Sequence, residues 1–289
     1  MTNRKMDTAL AAIAPIIWGS TYIITTQFLP TGYPITVAMI RALPAGLLLL
    51  IMVRRLPQGV WWLRSLALGA LNFSIFWILL FVAAYRLPGG VAATLGSVQP
   101  LIVLLLARLA GTARLLPMAF LSAFAGIAGV GLILAAPRMV LDPVGIAAAF
   151  GGTLSMAGGT VLTRYWKAPV PPLTLTAWQM TAGGMLLLPV ALALEPPFPI
   201  PTLPQIAALA YLGLVGGGLT YVLWFRGVIR LAPIAVSSLG FLSPVSATML
   251  GWIFLEQSLT AVQLGGMSII FFSIALAQMS SRPQSASNW

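Results

Sequence analysis

A single basic residue, Arg41, lies well inside a long apolar stretch of this sequence. A guanidinium stays charged and presents a rigid fork of N–H donors that matches a carboxylate. Such a charge is costly in an apolar environment, so it indicates a partner or a pathway for a charged solute. Two other interpretations stay open. The side chain could extend to the nearer aqueous surface, or it could brace neighbouring helices by donating to backbone carbonyls.

Aromatic side chains at the middle of apolar stretches form a second group of candidates. They are Trp18, Tyr22, Trp77, Tyr221 and Trp224. Trp18 and Tyr22 are four residues apart and would share one face of a helix. In membrane proteins Trp and Tyr usually collect at the interfaces, so aromatics at mid-depth could line a cavity and stack on a ligand. Packing in the protein core is the alternative for each of them.

Polar residues lead into a proline at two places, Ser97 and Gln99 before Pro100, and Ser243 before Pro244. Proline lacks an N–H, so each proline leaves a helix carbonyl without its usual donor. A substrate ammonium could supply that donor, while a simple kink satisfied by neighbouring hydroxyls is the alternative. We expect Pro100 and Pro244 to act as hinges in either case.

The composition excludes several classes of function. The chain has no His, no Cys and only four acidic residues, none near the middle of an apolar stretch. A metal site or a nucleophile–base pair cannot be assembled from such residues in the usual ways, so we expect neither an enzyme nor a cofactor. The same lack of buried acids favours facilitated transport and leaves proton coupling open.

The elements that must position these residues are membrane-spanning helices. Hydrophobic residues make up 60% of the chain and charged residues 7%, which does not suit a water-soluble globule. Apolar runs near the ~20 residues needed to cross a lipid bilayer recur throughout. We predict an all-α membrane protein with ten spans, at 8–28, 33–53, 65–85, 91–108, 116–136, 144–163, 173–194, 205–225, 234–254 and 260–279.

The sequence repeats itself. Arg86-Leu87, Leu95-Gly96 and Pro100 recur 144 residues later, and Pro34, Thr36 and Gly46 recur 138 residues later. We therefore predict two five-helix repeats, at 8–136 and 144–279, with a binding site between them. The repeat pairs Arg41 with Gln179, Asn72 with Gly216, and Trp77 with Tyr221. We include Asn72 and Gln179 among the expected cavity residues.

Charge placement predicts the orientation of the spans. The net charge of +11 would suggest nucleic acid for a soluble protein, but here Lys and Arg collect in alternate connections. That pattern predicts cytoplasmic termini and no nucleic-acid partner. Because each repeat has an odd number of spans, the second repeat must be inverted relative to the first.

Several local patterns resemble the EamA-type repeat of the drug/metabolite transporter superfamily. They are Trp18-Gly19-Ser20, Arg41 within Ala38-Met39-Ile40-Arg41-Ala42, the small-residue segments ending at Pro100 and Pro244, and Phe254-Leu255-Glu256. The first repeat departs from the pattern, having Gly111-Thr112 where the second has Glu256. The resemblance implies ten helices in two inverted repeats in a bacterial inner membrane, moving small metabolites outward. Within the superfamily, the chain is most similar to YddG-type exporters of aromatic and other amino acids.

The resulting hypothesis is export of amino acids by alternating access, and a monomer would suffice for it. The alternative is an exporter of a drug or another small metabolite. Phosphorylated cargo is disfavoured, because a phosphate site would need several basic residues at depth and only Arg41 is there.

Overall fold

A computed structural model of the protein describes residues 4–87, 95–96, 98–111, 117–133, 142–254 and 260–280. Within these ranges the regular structure is entirely helical. The helices are α1 Arg4–Phe28, α2 Pro34–Val53, α3 Trp61–Arg86, α4 Gln99–Leu109, α5 Pro117–Ile133, α6 Pro143–Tyr165, α7 Pro172–Leu194, α8 Leu203–Arg230, α9 Pro233–Phe254 and α10 Ala261–Ser280. Each coincides with a predicted span.

Eight of these helices are long and apolar enough to cross a membrane, while α4 and α5 are shorter in the described residues. Proline stands in the first turn of α2, α6, α7 and α9, where its missing N–H would have no helical partner anyway. Asp142 caps α6 by accepting from the Gly145 backbone N–H at 2.9 Å. The predicted fold class, an all-α membrane protein, is confirmed.

α1 is interrupted at Gly19, a break that the sequence analysis did not predict. A Cβ atom at Gly19 would lie 2.6 Å from the Ser243 carbonyl oxygen of α9. Only glycine therefore allows these two backbones to approach so closely. The interruption places Trp18 and the Ser243-Pro244 step beside each other.

α3 and α8 each contain a stretch of wider, π-helical turns, at Ala70–Ser74 and Tyr211–Leu219. Adding the repeat offset of 144 to Ala70–Ser74 gives residues 214–218, which lie within Tyr211–Leu219. Wide turns of this kind are uncommon and cluster at functional sites. Here they occur at matching points of both predicted repeats, beside the centre of the molecule.

The crossing of α2 and α7 shows how the two halves are related. A Cβ at Gly46 would lie 2.6 Å from the Thr181 nitrogen, and a Cβ at Gly184 would lie 2.6 Å from the Leu43 Cα. The offset of 138 exchanges these two contacts, because it relates Gly46 to Gly184 and Leu43 to Thr181. Residue numbers rise on one helix as they fall on the other. The paired helices therefore run antiparallel across a local two-fold axis, as inverted repeats require.

Two sets of ion pairs join the halves at opposite ends of the bundle. At one end Asp7 accepts from Arg226 at 2.8 Å and from Arg230 at 3.3 Å, and the Asp7 side chain is almost fully buried. At the other end Arg86 donates to Asp142 at 3.2 Å, and both side chains are substantially exposed. The Gly145 backbone N–H and then the Arg86 guanidinium hold the pKa of the Asp142 carboxyl below its usual range. Arg86 and Arg230 are repeat mates.

Candidate functional site: a central cavity beside Arg41

A cavity of about 150 Å³ lies between the two halves. Its wall on α1 runs from Trp18 to Thr26 and on α3 from Phe76 to Tyr85. The N-terminal half of α6 completes that side, from Ala149 to Met156. The cavity therefore extends from the middle of the bundle toward the end that carries Arg86 and Asp142, away from the end that Asp7 and its arginines hold together.

A cluster of aromatic rings forms the inner end of the cavity. Trp77 donates from Nε1 to the Tyr221 hydroxyl at 3.0 Å, so these two repeat mates meet directly at the axis. The Trp18 ring centroid lies 4.9 Å from that of Tyr221 and 5.2 Å from that of Trp224. Trp18 is fixed by donating from Nε1 to the Thr220 hydroxyl at 2.9 Å. A rigid apolar surface results, with its hydrogen-bonding groups largely directed at one another.

Arg41 lies against this cluster, is also among the residues that line the cavity, and is 2% exposed. Its Cζ atom is 4.6 Å from the Trp77 ring centroid, a cation–π contact. Nη2 donates to the Gly216 carbonyl oxygen at 2.8 Å, which the wide turns of α8 bring within reach. Nε and Nη1 have no hydrogen-bond partner among the described residues. The side chain braces α8 and also keeps two donors for another group.

Most of the predicted site residues come together around this cavity. Those that line it are Trp18, Tyr22, Arg41, Trp77, Gln99, Tyr221, Trp224, Ser243 and the two expected hinges Pro100 and Pro244. Ser97 lies outside the described residues. The arrangement can hold a small molecule with an apolar body and an acceptor group for the guanidinium.

Asn72 and Gln179 do not line the cavity, contrary to the sequence-based expectation. Asn72 donates from Nδ2 to Gln179 Oε1 at 2.8 Å, and both side chains are completely buried. The Asn72 amide also fills the space beside Gly159, where an added Cβ would collide with Asn72 Oδ1. The repeat gave their depth in the bundle correctly, but it could not show that they face each other.

Sequence reasoning missed some lining residues, including Thr21, Thr25, Phe76 and Leu80. Helical spacing carries a signal for three of them. Thr21 follows Trp18, Thr25 follows Tyr22 and Leu80 follows Trp77, each by three residues, so each continues the face of a residue already selected. The Thr25 hydroxyl is buried and has no partner among the described residues.

Comparison with known proteins agrees with this architecture. The EamA-like transporter family matches residues 7–135 and 143–279. Protein PecM of Dickeya dadantii is 45% identical over 270 residues, 93% of this chain and 91% of PecM. The uncharacterized inner membrane transporter YedA of Escherichia coli K12 is 25% identical over 91% of this chain and 88% of its own.

A solved crystal structure aligns with a TM-score of 0.80, covering 98% of this chain and 99% of the other at 19% sequence identity. That likeness supports the fold alone. The family match covers nearly the whole length in two successive segments, and the relatives span the same length. The chain therefore belongs to the EamA-like transporter family and is a multi-pass membrane transporter.

Proposed function

We propose that this protein exports amino acids, neutral and aromatic ones included, across a bacterial inner membrane. In this proposal the two inverted halves rock around the central cavity, and both termini are cytoplasmic. The name of the relative YedA, an inner membrane transporter, is consistent with that location. The single observation that carries the proposal is the buried Arg41, which has two unpartnered donors at the inner end of an aromatic-lined cavity.

The lining supports a small amphipathic solute. A carboxylate would accept from the Arg41 guanidinium, which desolvation makes a strong donor. The side chain of the solute would lie against Trp18 and Tyr22, whose rings are partly exposed. Gln99 and the carbonyls near Pro100 and Pro244 would meet the ammonium, since proline leaves those carbonyls free to accept.

The distribution of ion pairs supports alternating access. The Asp7 cluster holds the N-terminal end closed, while the cavity extends toward the opposite end, where Arg86 and Asp142 form a single exposed pair. Exchanging the closed and open ends would give the other state of an inverted-repeat transporter. Because the described residues that line the cavity include no acidic one, we propose facilitated transport rather than proton-coupled export.

Counterflow in proteoliposomes tests the proposal. Liposomes preloaded with unlabelled phenylalanine, leucine or alanine should accumulate the same labelled amino acid from outside, with little change when a pH gradient is imposed. Empty liposomes measure the background. Failure of every amino acid to exchange, with the protein shown to be folded by its unfolding transition, would contradict amino-acid export and favour another small metabolite or a drug as cargo.

A further inference from the structure

Two contacts between the halves are related by the repeat but use different residues. In one contact Arg41 donates to the Gly216 carbonyl oxygen, and in the other Asn72 donates to Gln179. The repeat offsets exchange these pairs, because Arg41 corresponds to Gln179 and Gly216 to Asn72. The Asn72–Gln179 copy is filled by two neutral amides. The Arg41 copy has a glycine in place of the amide, and Arg41 is among the residues that line the cavity. The two repeat-related contacts therefore differ at the place where Arg41 could bind a charged group of a ligand.

The chain has four acidic residues, and the three that the structure describes are engaged away from Arg41. Asp7 and Asp142 pair with arginines at the two ends of the bundle, and Glu195 accepts from the Ile35 and Thr36 backbone N–H groups at 2.7 Å each. Glu256 lies outside the described residues, directly after α9 in the chain. Within the described part of the protein, the cavity thus contains one positive charge and no negative charge.

The unpartnered groups of the cavity are mainly donors. Among the described residues, Arg41 Nε, Arg41 Nη1 and Trp224 Nε1 are buried without a hydrogen-bond acceptor, and the Thr25 hydroxyl is the further unpartnered group of the lining. Buried donors left without acceptors are costly, as is a buried charge without a counter-charge. A carboxylate satisfies both requirements at once. An ammonium would meet only neutral acceptors, in a region made positive by the guanidinium.

We infer that the cavity is selective for monoanionic carboxylates with an aromatic or branched apolar body, and binds them more tightly than the matching zwitterionic amino acids. Solutes of this class are 2-oxo acids and arylalkanoates. The inference rests on one part of the proposed function, namely that this cavity is the transport site and that Arg41 binds the carboxylate of the substrate. The two proposals differ on the amino group of an amino acid. The proposed function gives this group hydrogen-bond acceptors, whereas the inference predicts that it lowers the affinity.

Three matched ligands test the inference: 3-phenylpropionate, phenylalanine and phenethylamine, which share a ring and a chain length and differ in charge. Their dissociation constants for the purified protein are measured by titration calorimetry. We expect the carboxylate to bind about tenfold more tightly than the amino acid, the scale of one charged hydrogen-bonding group, and the amine not to bind measurably. Equal or tighter binding of phenylalanine overturns the inference.

Arg41→Gln tests the origin of the selectivity, since it installs the residue that the repeat mate Gln179 already has. The advantage of 3-phenylpropionate over phenylalanine should then fall to within about twofold. The matched control is Arg64→Gln. Arg64 also stacks on aromatic rings, Trp61 and Trp166, but it is not among the residues that line the cavity, so its loss should leave the order of ligands unchanged. Retained selectivity in Arg41→Gln overturns the assignment to Arg41. The wild-type order decides the inference even if that variant does not fold.

The two proposals fail differently. If neither 3-phenylpropionate nor any of the amino acids tested exchanges in counterflow, the proposed function and the inference both fail. If phenylalanine exchanges and binds at least as tightly as 3-phenylpropionate, amino-acid export stands and the inference falls. If 3-phenylpropionate exchanges and no amino acid does, the inference stands and amino-acid export falls.

Discussion

Trp77 connects the guanidinium to the repeat axis. The Arg41 guanidinium stacks on the Trp77 ring, and Trp77 Nε1 donates to the Tyr221 hydroxyl. A desolvated cation–π contact contributes about 2 kcal/mol, so the ring both holds the cation in place and stabilises it inside the bundle. The position of Arg41 therefore depends on a residue that is itself completely buried.

Trp77→Ala should change transport, because Arg41 would lose the surface on which it stacks. We expect the affinity for a carboxylate substrate to fall by about tenfold in liposome uptake assays. Trp77→Phe keeps the ring and loses only the hydrogen bond to Tyr221, so it should be milder. Trp252→Ala, on the exposed face of α9, is the matched control. Unchanged transport of a panel of amino acids and carboxylates by Trp77→Ala would remove Trp77 from the site.

The sequence indicated most of the residues that the structure places around the cavity, but it did not show which of them bond to one another. The intramembrane charge and the mid-depth aromatics were visible as residue types at a given depth, and they line the cavity. Depth does not specify which face of a helix a residue occupies, so Asn72 and Gln179 were assigned to the cavity although they bond to each other. Nor does a repeat show that Trp77 and Tyr221 touch, because only residues near the axis meet their own mates.

At the scale of the elements, the α2–α7 crossing holds the two halves together. Gly46 and Gly184 let the backbones approach at two points related by the repeat, and small residues serve this purpose in membrane helices generally. The nearest atoms are backbone atoms of the opposite helix, which cannot rotate away as a side chain can. We therefore expect this crossing to stay fixed during the proposed motion.

Gly46→Ala and Gly184→Ala should each destabilise the protein to a similar extent, because each adds a methyl group at an equivalent contact. We expect a loss of about 1–3 kcal/mol, measured as a lower midpoint of thermal unfolding in detergent. Gly158→Ala in α6 is the control, since a Cβ there meets nothing within 4 Å. A control as destabilising as the two test variants would argue against a tightly packed crossing.

The sequence predicted the helices well and their irregularities poorly. Long apolar runs and initial prolines place the helices within a few residues, because helix length is set by the bilayer. The break at Gly19 and the wide turns at Ala70–Ser74 depend on which helix lies opposite. The same holds for Glu195, which the loop charges placed outside a span and which caps α2 by accepting from Ile35 and Thr36.

At the scale of the whole molecule, the two halves are related by the repeat, but the ion pairs that join them differ between the two ends of the bundle. Asp7 is buried beneath two arginines, whereas Asp142 faces one arginine and is open to solvent. Removing one partner of a buried pair is much more costly than removing one partner of an exposed pair. We therefore expect the ion pairs of Asp7 with Arg226 and Arg230 to favour the state in which their end of the bundle is closed.

Asp7→Asn should open the N-terminal end more often. Losing one partner of a fully buried ion pair costs more, but Arg226 and Arg230 are partly exposed, so we expect the closed state to lose about 1–2 kcal/mol. The ratio of open to closed molecules would then rise roughly 5- to 30-fold. The chain has no Cys, so Val236→Cys gives a single thiol at a buried position of α9. The rate at which a thiol reagent labels it reports opening.

Arg86→Gln, which removes the mate of Arg230 at the other end, is the control and should not increase labelling of Val236→Cys. Equal labelling rates with and without Asp7→Asn would mean that the ion pairs do not hold this end closed.

The position of a bound ligand tests the central claim most directly. A structure determined with 3-(4-bromophenyl)propionate, with the bromine located by its anomalous signal, should place the carboxylate within about 3 Å of Arg41 Nε or Nη1. The bromine should lie in the cavity toward Trp18 and Tyr22. A bromine peak outside the cavity, or a carboxylate directed away from Arg41, would contradict the account.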